Sequence, residues 1–343
     1  MIASLKSYKK TFLLLILALI IVAFSNISLG SVYIPISKII NTLFGFSSNE
    51  TWETIIFSYR LPKAITAIIV GSGLSISGLL MQTLFRNPLA GPFVLGISSG
   101  ASLGVAILIL GASLFGASIT GYAFTNWGQA VAASLGAFLV LLSIMLAAVK
   151  VRNTMSILII GLMFGSLTSA VISILAYFSS AGQIQQFMLW SFGSLGNLGW
   201  NEIIALGIFY VLGLLLVFLI IKPLNGLLIG ENYAQSLGIN VKQTRNITLI
   251  ATSLLTGVIT AFAGPIAFIG LAVPHITKLL FSTSNHKTLL PAVAINGAII
   301  MLICDSIAQL PTSEHTVPIN AITSIFGAPI IIWLLVRKRK IHY

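Results

Sequence analysis

Charge is scarce in this chain. Only 7% of its 343 residues are Asp, Glu, Lys or Arg, and just 6 are acidic. A soluble domain of this length needs far more polar surface, so the shortage excludes an ordinary water-soluble protein. Cysteine is nearly missing as well: Cys304 stands alone, which excludes a disulfide within the chain. The four His (275, 286, 315 and 342) are scattered, with no second ligand at metal spacing, so no resident metal or other cofactor is expected. No Gly-x-x-x-x-Gly-Lys-Ser/Thr phosphate loop occurs, and the chain does not hydrolyse a nucleotide by that route. A nucleophile elbow is not expected either. Titratable groups inside the apolar runs are almost absent, Asp305 being the clearest. Ion-coupled carriers and membrane-embedded proteases generally need several such groups. The chain offers a body for passage and no engine.

What is present is apolar. The chain is 57% hydrophobic with 30 Gly and a mean hydropathy of +1.06, a composition typical of membrane helices. Of its 18 basic residues, 15 lie at Lys6-Lys9-Lys10, Arg86, Lys150-Arg152, Lys222, Lys242-Arg245, Lys278-Lys287 and Arg337–Lys340, with apolar runs between them. About 20 apolar residues cross the hydrocarbon core. Such runs predict an all-α, polytopic protein with spans near 12–31, 60–82, 92–112, 122–149, 154–179, 200–221, 244–263, 265–281, 288–310 and 317–337. Gly264-Pro265 divides the seventh from the eighth, because proline breaks a helix interior. With ten spans and both termini cytoplasmic, only Lys38, Arg60 and Lys63 of the 18 basic residues fall outside. Nine spans would strand the Arg337–Lys340 cluster there, against the positive-inside rule.

The whole chain, 1–343, reads as one transmembrane domain. Its first span is expected to stay uncleaved, since no small-x-small site follows Phe24. A net charge of +12 spread a few residues at a time over helix ends suits membrane lipid headgroups and not nucleic acid. Segment 180–199 predicts a short interfacial helix near Gln185–Phe192, capped by glycines. Small residues recur every four positions in Gly96-Gly100-Gly104 and in Gly161-Gly165-Ser169-Ser173. Close helix packing is the ordinary meaning of that spacing; a small, polar face lining a conduit is the functional alternative. In loop 226–240, Glu231, Ala234 and Leu237 at three-residue steps suggest one side of a short helix, with Gly238 as its stop. Such a helix, parallel to the membrane, suits a knob that docks into a groove on another protein. Finally, Ala90-Gly91-Pro92 and Ala263-Gly264-Pro265 precede the third and eighth spans. They occupy equivalent places in two four-span halves, on opposite membrane sides, as inverted repeats would.

Several ordered stretches are familiar. They are Arg60-Leu61-Pro62-Lys63 with Gly71, Ser77-Gly78 and Met81-Gln82; Arg86-Asn87-Pro88-Leu89-Ala90-Gly91-Pro92; Gly230-Glu231, Ala234 and Leu237-Gly238; Gly264–Leu271 with Pro274-His275; and Leu290-Pro291, Asp305 and Gly327-Ala328-Pro329. Together they resemble the FecCD-type permease subunits of bacterial ABC importers for iron-siderophores, haem and cobalamin, over about residues 60–337. The resemblance implies an inner-membrane homodimer with the conduit between the copies, lined by the fifth span (Gly161, Gly165, Ser169, Ser173) and the short helix after it. It implies separate ATPase subunits that couple through Gly230, Glu231, Ala234, Leu237 and Gly238. It also implies a cytoplasmic gate at Asn87, Leu89, Thr154 and Met155, and a substrate-binding protein that docks at Arg60 and Lys63. An iron-siderophore or other iron complex is the favoured cargo, with haem and cobalamin as alternatives. Three departures stand out. Met155 replaces a small polar residue. Gln309 replaces an Arg and leaves Asp305 without an obvious i,i+4 partner. Glu314–Asn320 alters the Glu-x-Pro-x-Gly pattern of the outer rim.

Overall fold

The computed structural model describes residues 2–46, 49–112, 121, 125–151, 154–309 and 316–336. Glu314 and the Arg337–Lys340 cluster lie outside them. Among the described residues there are helices and no strands. In chain order these are α1 (Ile2–Ser28), α2 (Ile36–Leu43), α3 (Glu50–Ile55) with a π-helical turn Ile56–Arg60, α4 (Leu61–Leu84), a 3-10 turn Pro92–Leu95, α5 (Ile97–Ile109), α6 (Asn126–Lys150), α7 (Thr154–Tyr177), α8 (Ala181–Ser191), α9 (Trp200–Leu227), α10 (Glu231–Ser236), α11 (Val241–Ala263), α12 (Ile269–Phe281), α13 (His286–Ala308) and α14 (Ile319–Val336).

Among the described residues, seven helices are long and apolar enough to cross a bilayer: α1, α4 with its lead-in, α6, α7, α9, α11 and α13. α5, α12 and α14 are shorter apolar helices at the other three expected places. The third and eighth runs are therefore not continuous helices. α5 and α12 have 13 residues each, about 20 Å of rise against a hydrocarbon core of ~30 Å. Each starts after a residue in the left-handed region, Gly96 (φ 71°) and Phe268 (φ 65°). Proline explains both breaks: Pro92 and Pro265 cannot donate to a preceding turn. Non-helical backbone at such depth survives only when buried in protein, and Pro92, Val94 and Leu95 are buried.

Glycine lets the helices touch backbone to backbone. A Cβ at Gly71 of α4 would overlap the Gly297 carbonyl of α13, and one at Gly297 would overlap the Gly71 carbonyl. Gly78 meets Gly270 of α12 in the same way. Gly100 lies on Gly136, and Gly104 on Ala132, where α5 crosses α6. The packing reading of Gly96-Gly100-Gly104 therefore fits the structure.

Directions follow from the contacts. α4 runs antiparallel to α13, with Lys63 at Asp305 near one end and Thr83 at His286 near the other. α9 runs with α4: Trp200 Nε1 donates to the Phe57 carbonyl, and Tyr210 meets Ser72. α11 runs against α9, Gly213 facing Leu255 and Gly226 facing Ile239. α4 and α11 consequently point opposite ways. Partners repeat too: α4 packs on α12 and α13, and α11 on α5 and α6. α5 packs on α6 and α7, and α12 on α13 and α14. Opposite direction of α4 and α11 with matched partners is what an inverted relation between α4–α7 and α11–α14 would give.

Candidate functional site

The molecule has two polar ends. At one, α1, the π-helical turn and α13 converge on Asp305, which is only 2% exposed. Its carboxylate pairs with Lys63 Nζ at 3.1 Å and accepts from Asn26 Nδ2 at 2.9 Å and Gln309 Nε2 at 2.7 Å. Arg60 is buried alongside. Its Nη2 donates to the Val32 carbonyl at 3.0 Å, and its Nη1 reaches the Ile27 carbonyl and Gln309 Oε1, both at 3.5 Å. Gly30 leaves room for the guanidinium; a Cβ there would overlap it.

Two expectations change here. Gln309 does not leave Asp305 bare, because its amide is the i,i+4 partner and also bridges to Arg60. Arg60 and Lys63 are not freely projecting docking charges either: Arg60 is enclosed and Lys63 is engaged by Asp305. The reason lies far off in sequence, since α13 returns the carboxylate to the start of α4. A cavity of about 320 Å³ opens beside them, with Lys63 and Asp305 on one wall and the 192–197 turn on another.

That turn follows α8, whose start carries a capping box: Ser180 and Gln183 exchange side-chain-to-backbone hydrogen bonds. The expected short helix exists but starts four residues earlier than Gln185, at Ala181, on a serine cap and not a glycine one. Gly264 (φ 75°) lies against it, where a Cβ would sit 2.7 Å from the Trp190 carbonyl oxygen and 2.8 Å from Gly193 Cα. Ser194 N–H donates to Ala263 O. Asn320, the departure from the family's rim glycine, accepts from Ala267 N–H at 3.1 Å. Gly327 of α14 makes room for Phe268, which holds its unfavourable positive φ. α8, the α11–α12 break and α14 are thus tied together.

At the other end, α10 stands on the α9–α11 loop. Gly238 (φ 78°) closes it: Gly238 N–H donates to Gln235 O and Ile239 N–H to Ala234 O, the paired bonds of a Schellman motif. Glu231, Ala234 and Leu237 do not share one outward side. Ala234 is fully buried, near Gly226 and Ile239, whereas Leu237 is 58% exposed. Three-residue steps fall short of a 3.6-residue turn, and Leu237 is already the C-cap. The outward surface is instead Asn232, Tyr233, Gln235, Ser236 and Leu237.

Beside α10 lies the loop of expected gate residues. Arg86, at φ 46°, brings Nη1 to 3.7 Å from where a Gly230 Cβ would be. Asn87 Oδ1 accepts from Leu89 N–H at 2.9 Å, and Leu89 is exposed. His275 of α12 lies 2.7 Å from the Pro88 carbonyl through Nε2, a link that the matched Pro-His pair did not disclose. Met155 is exposed at the start of α7. Thr154 opens the same helix.

The small stripe of α7 divides. Gly161 packs on Val94 and Leu95, and a Cβ at Gly165 would lie 3.4 Å from Ser99 Oγ, while Ser169 and Ser173 are exposed. Four-residue steps drift by about 40° each, so a stripe buried at Gly161 has turned outward by Ser173. Gly96-Ile97-Ser98-Ser99-Gly100 does spell the spacing of a nucleophile elbow. Yet Ser98 sits in the first turn of α5, and its Oγ meets Thr260 Oγ1 at 3.3 Å, with no strand preceding it. This is not the strand-to-helix turn of an elbow.

Helices that cross a bilayer, broken helices buried in pairs and an exposed knob at one end define a membrane permease. The comparisons give the family: the FecCD transport family matches residues 15–337, and the chain belongs to it. It is 33% identical to the hemin transport system permease protein HmuU of Yersinia pestis, over 95% of each chain. It is 35% identical to the vitamin B12 import system permease protein BtuC of Citrobacter koseri, over 84% of each. A solved structure described as an inward-facing conformation of a metal-chelate type ABC transporter superposes with a TM-score of 0.83 at 27% identity, covering 96% of this chain and 99% of that one. The protein is accordingly a multi-pass transport subunit of an ABC importer and not an enzyme.

Proposed function

We propose that two copies of this chain form the inner-membrane conduit of an importer for a bulky metal chelate, with an iron-siderophore or other iron complex as cargo. The family match across residues 15–337, in a chain with no nucleotide loop, carries the reading. The relatives named for hemin and vitamin B12 favour haem and cobalamin as alternatives. A chelate arrives wrapped in organic ligand, so the permease need not coordinate its metal.

In this reading the basic-rich Arg86 end faces the cytoplasm. The ATPase subunits dock on the α10 knob, and the binding protein delivers cargo at the Asp305 end. ATP binding shifts the dimer between two states. Arg86 beside Gly230 and His275 beside Pro88 connect the knob and α12 to the Asn87–Leu89 loop, which gates with Thr154 and Met155. The exposed half of the α7 stripe, Ser169 and Ser173, lines the conduit. An ion-coupled carrier is disfavoured: Asp305 is the one buried carboxylate among the described residues, and it is engaged by Lys63. Uptake of labelled ferric siderophore, haem and cobalamin by cells with and without this chain tests the reading. Uptake that follows an ion gradient without ATP would overturn it.

A further inference from the structure

Where α4, α9 and α13 meet at the Arg86 end, a run of hydrogen bonds passes through the protein interior. His286, the first residue of α13, is 1% exposed. Its Nδ1 lies 2.8 Å from Asn225 Oδ1 of α9, and its backbone N–H donates to the same oxygen at 2.9 Å. Asn225 Nδ2 donates in turn to Asn285 Oδ1, the cap of α13, at 3.1 Å. Asn225 Oδ1 is therefore an acceptor, so Nδ1 carries the proton of the neutral ring and Nε2 offers a lone pair. Thr83 Oγ1 of α4, also buried, lies 2.9 Å from Nε2 and can supply a proton to it. It can equally donate to the Leu79 carbonyl, again at 2.9 Å. One hydroxyl proton thus has two acceptors.

The two ends of this run lead to the proposed knob and gate. Asn225 precedes Gly226, whose missing side chain leaves the space that Ile239 fills, next to Ala234 of α10. Thr83 lies in the last turn of α4, and Arg86 N–H donates to its carbonyl at 3.3 Å, as Asn87 N–H does to the Gln82 carbonyl at 3.2 Å. We infer that His286 is a positioning residue that carries displacement of the knob to the gate loop, by setting which acceptor Thr83 uses. The inference rests on the roles proposed above for α10 and for the Asn87–Leu89 loop. When α9 shifts with α10, Asn225 draws the imidazole away and the Thr83 hydroxyl turns to Leu79. The last turn of α4 is then released from α13, together with the loop whose backbone it holds. The hydroxyl keeps a partner in both arrangements, so the exchange costs little. Two discrete arrangements are what a coupling element requires.

The test uses the full-length chain with Leu89→Cys, assembled with its ATPase subunits in nanodiscs and labelled with fluorescein maleimide. Labelling rates are compared with and without ATP plus vanadate, and the chain lacking Leu89→Cys corrects for Cys304. In this parent, nucleotide should change the rate at position 89. Thr83→Val, close in shape but without the proton, and His286→Ala should each reduce that change by about fivefold, the worth of one hydrogen bond. Thr83→Ser keeps the hydroxyl and should respond as the parent does. The two losses should not add, because either substitution breaks the same pair. A response undiminished in Thr83→Val, or losses that add, overturns the inference while the gate reading stands. So does a Thr83→Val loss matched by a fall in melting temperature or in retained ATPase subunits, since packing alone would then suffice. A parent whose labelling ignores nucleotide overturns the gate reading and this inference with it.

Discussion

The two ends of the molecule use charge in opposite ways. At the Asp305 end, two cations and one carboxylate are drawn into the protein and joined to Asn26, Gln309 and two backbone carbonyls. At the Arg86 end, the ties of the expected gate and knob include His275 to Pro88, Arg86 beside Gly230, and the backbone closure of a six-residue helix. A network over-determines its members, whereas a single hydrogen bond contributes about 1 kcal/mol and can be exchanged. The first end is built to hold α1, α4 and α13 in register. The second, if it gates and couples as proposed, must exchange its contacts.

The sharpest way to break this comparison is Asp305→Ala. Removing the carboxylate strands Lys63 beside a buried Arg60, and breaking such a pair costs about 3–5 kcal/mol. Thermal unfolding in detergent should show it, and Lys63→Ala in addition should restore part of the loss. An equally stable Asp305→Ala protein would mean that the network is ornamental. Next come Tyr233→Glu and Leu237→Glu on the exposed side of α10. Truncating an interface anchor typically costs about 2 kcal/mol, so ATPase binding and transport-coupled hydrolysis should fall more than tenfold, while insertion and melting stay unchanged. Ala234→Glu should instead unfold the knob itself.

His275→Ala should have a smaller effect. Losing its bond to Pro88 costs about 1 kcal/mol and should change the transport rate more than the melting temperature. Cysteine labelling at Leu89 would report a freer loop; unaltered labelling and transport would remove His275 from the gate. The smallest effect concerns docking. Because Lys63 is engaged by Asp305, Lys63→Ala should weaken binding-protein affinity by about 0.2–1 kcal/mol at low salt and by less at high salt. A large, salt-dependent loss would show that the pair opens on docking.

The sequence makes the helical runs legible because burial in lipid acts on each segment separately. Gly264-Pro265 marks the split between α11 and α12 for the same local reason. Long-range partners are not legible. Nothing near Asp305 announces Lys63, and Gln309 reads as a lost charge until its amide is seen bridging Asp305 to Arg60. Periodicity misleads over more than two steps: Gly161 and Ser173 seem to share a stripe, but helical drift separates a packing face from an exposed one. Ala234 shows the same error at the knob. Pro92 and Pro265 signal a break in sequence but not its left-handed exits at Gly96 and Phe268.

The contact of α4 with α12 and α13 also bears on how the protein is made. Gln82 and Leu271, whose side chain and carbonyl meet, are 189 residues apart, and Thr83 and His286 are 203 apart. A chain leaving the ribosome N-terminus first must insert α4 with its glycine face bare, then thread five further long or broken helices before that face is covered. At ~5–20 residues per second, the wait is about ten seconds or more. Lipid or the insertion machinery has to occupy the face meanwhile, so a truncated chain ending after α11 should be a substrate for quality-control proteolysis even though most of its hydrophobic segments are in place.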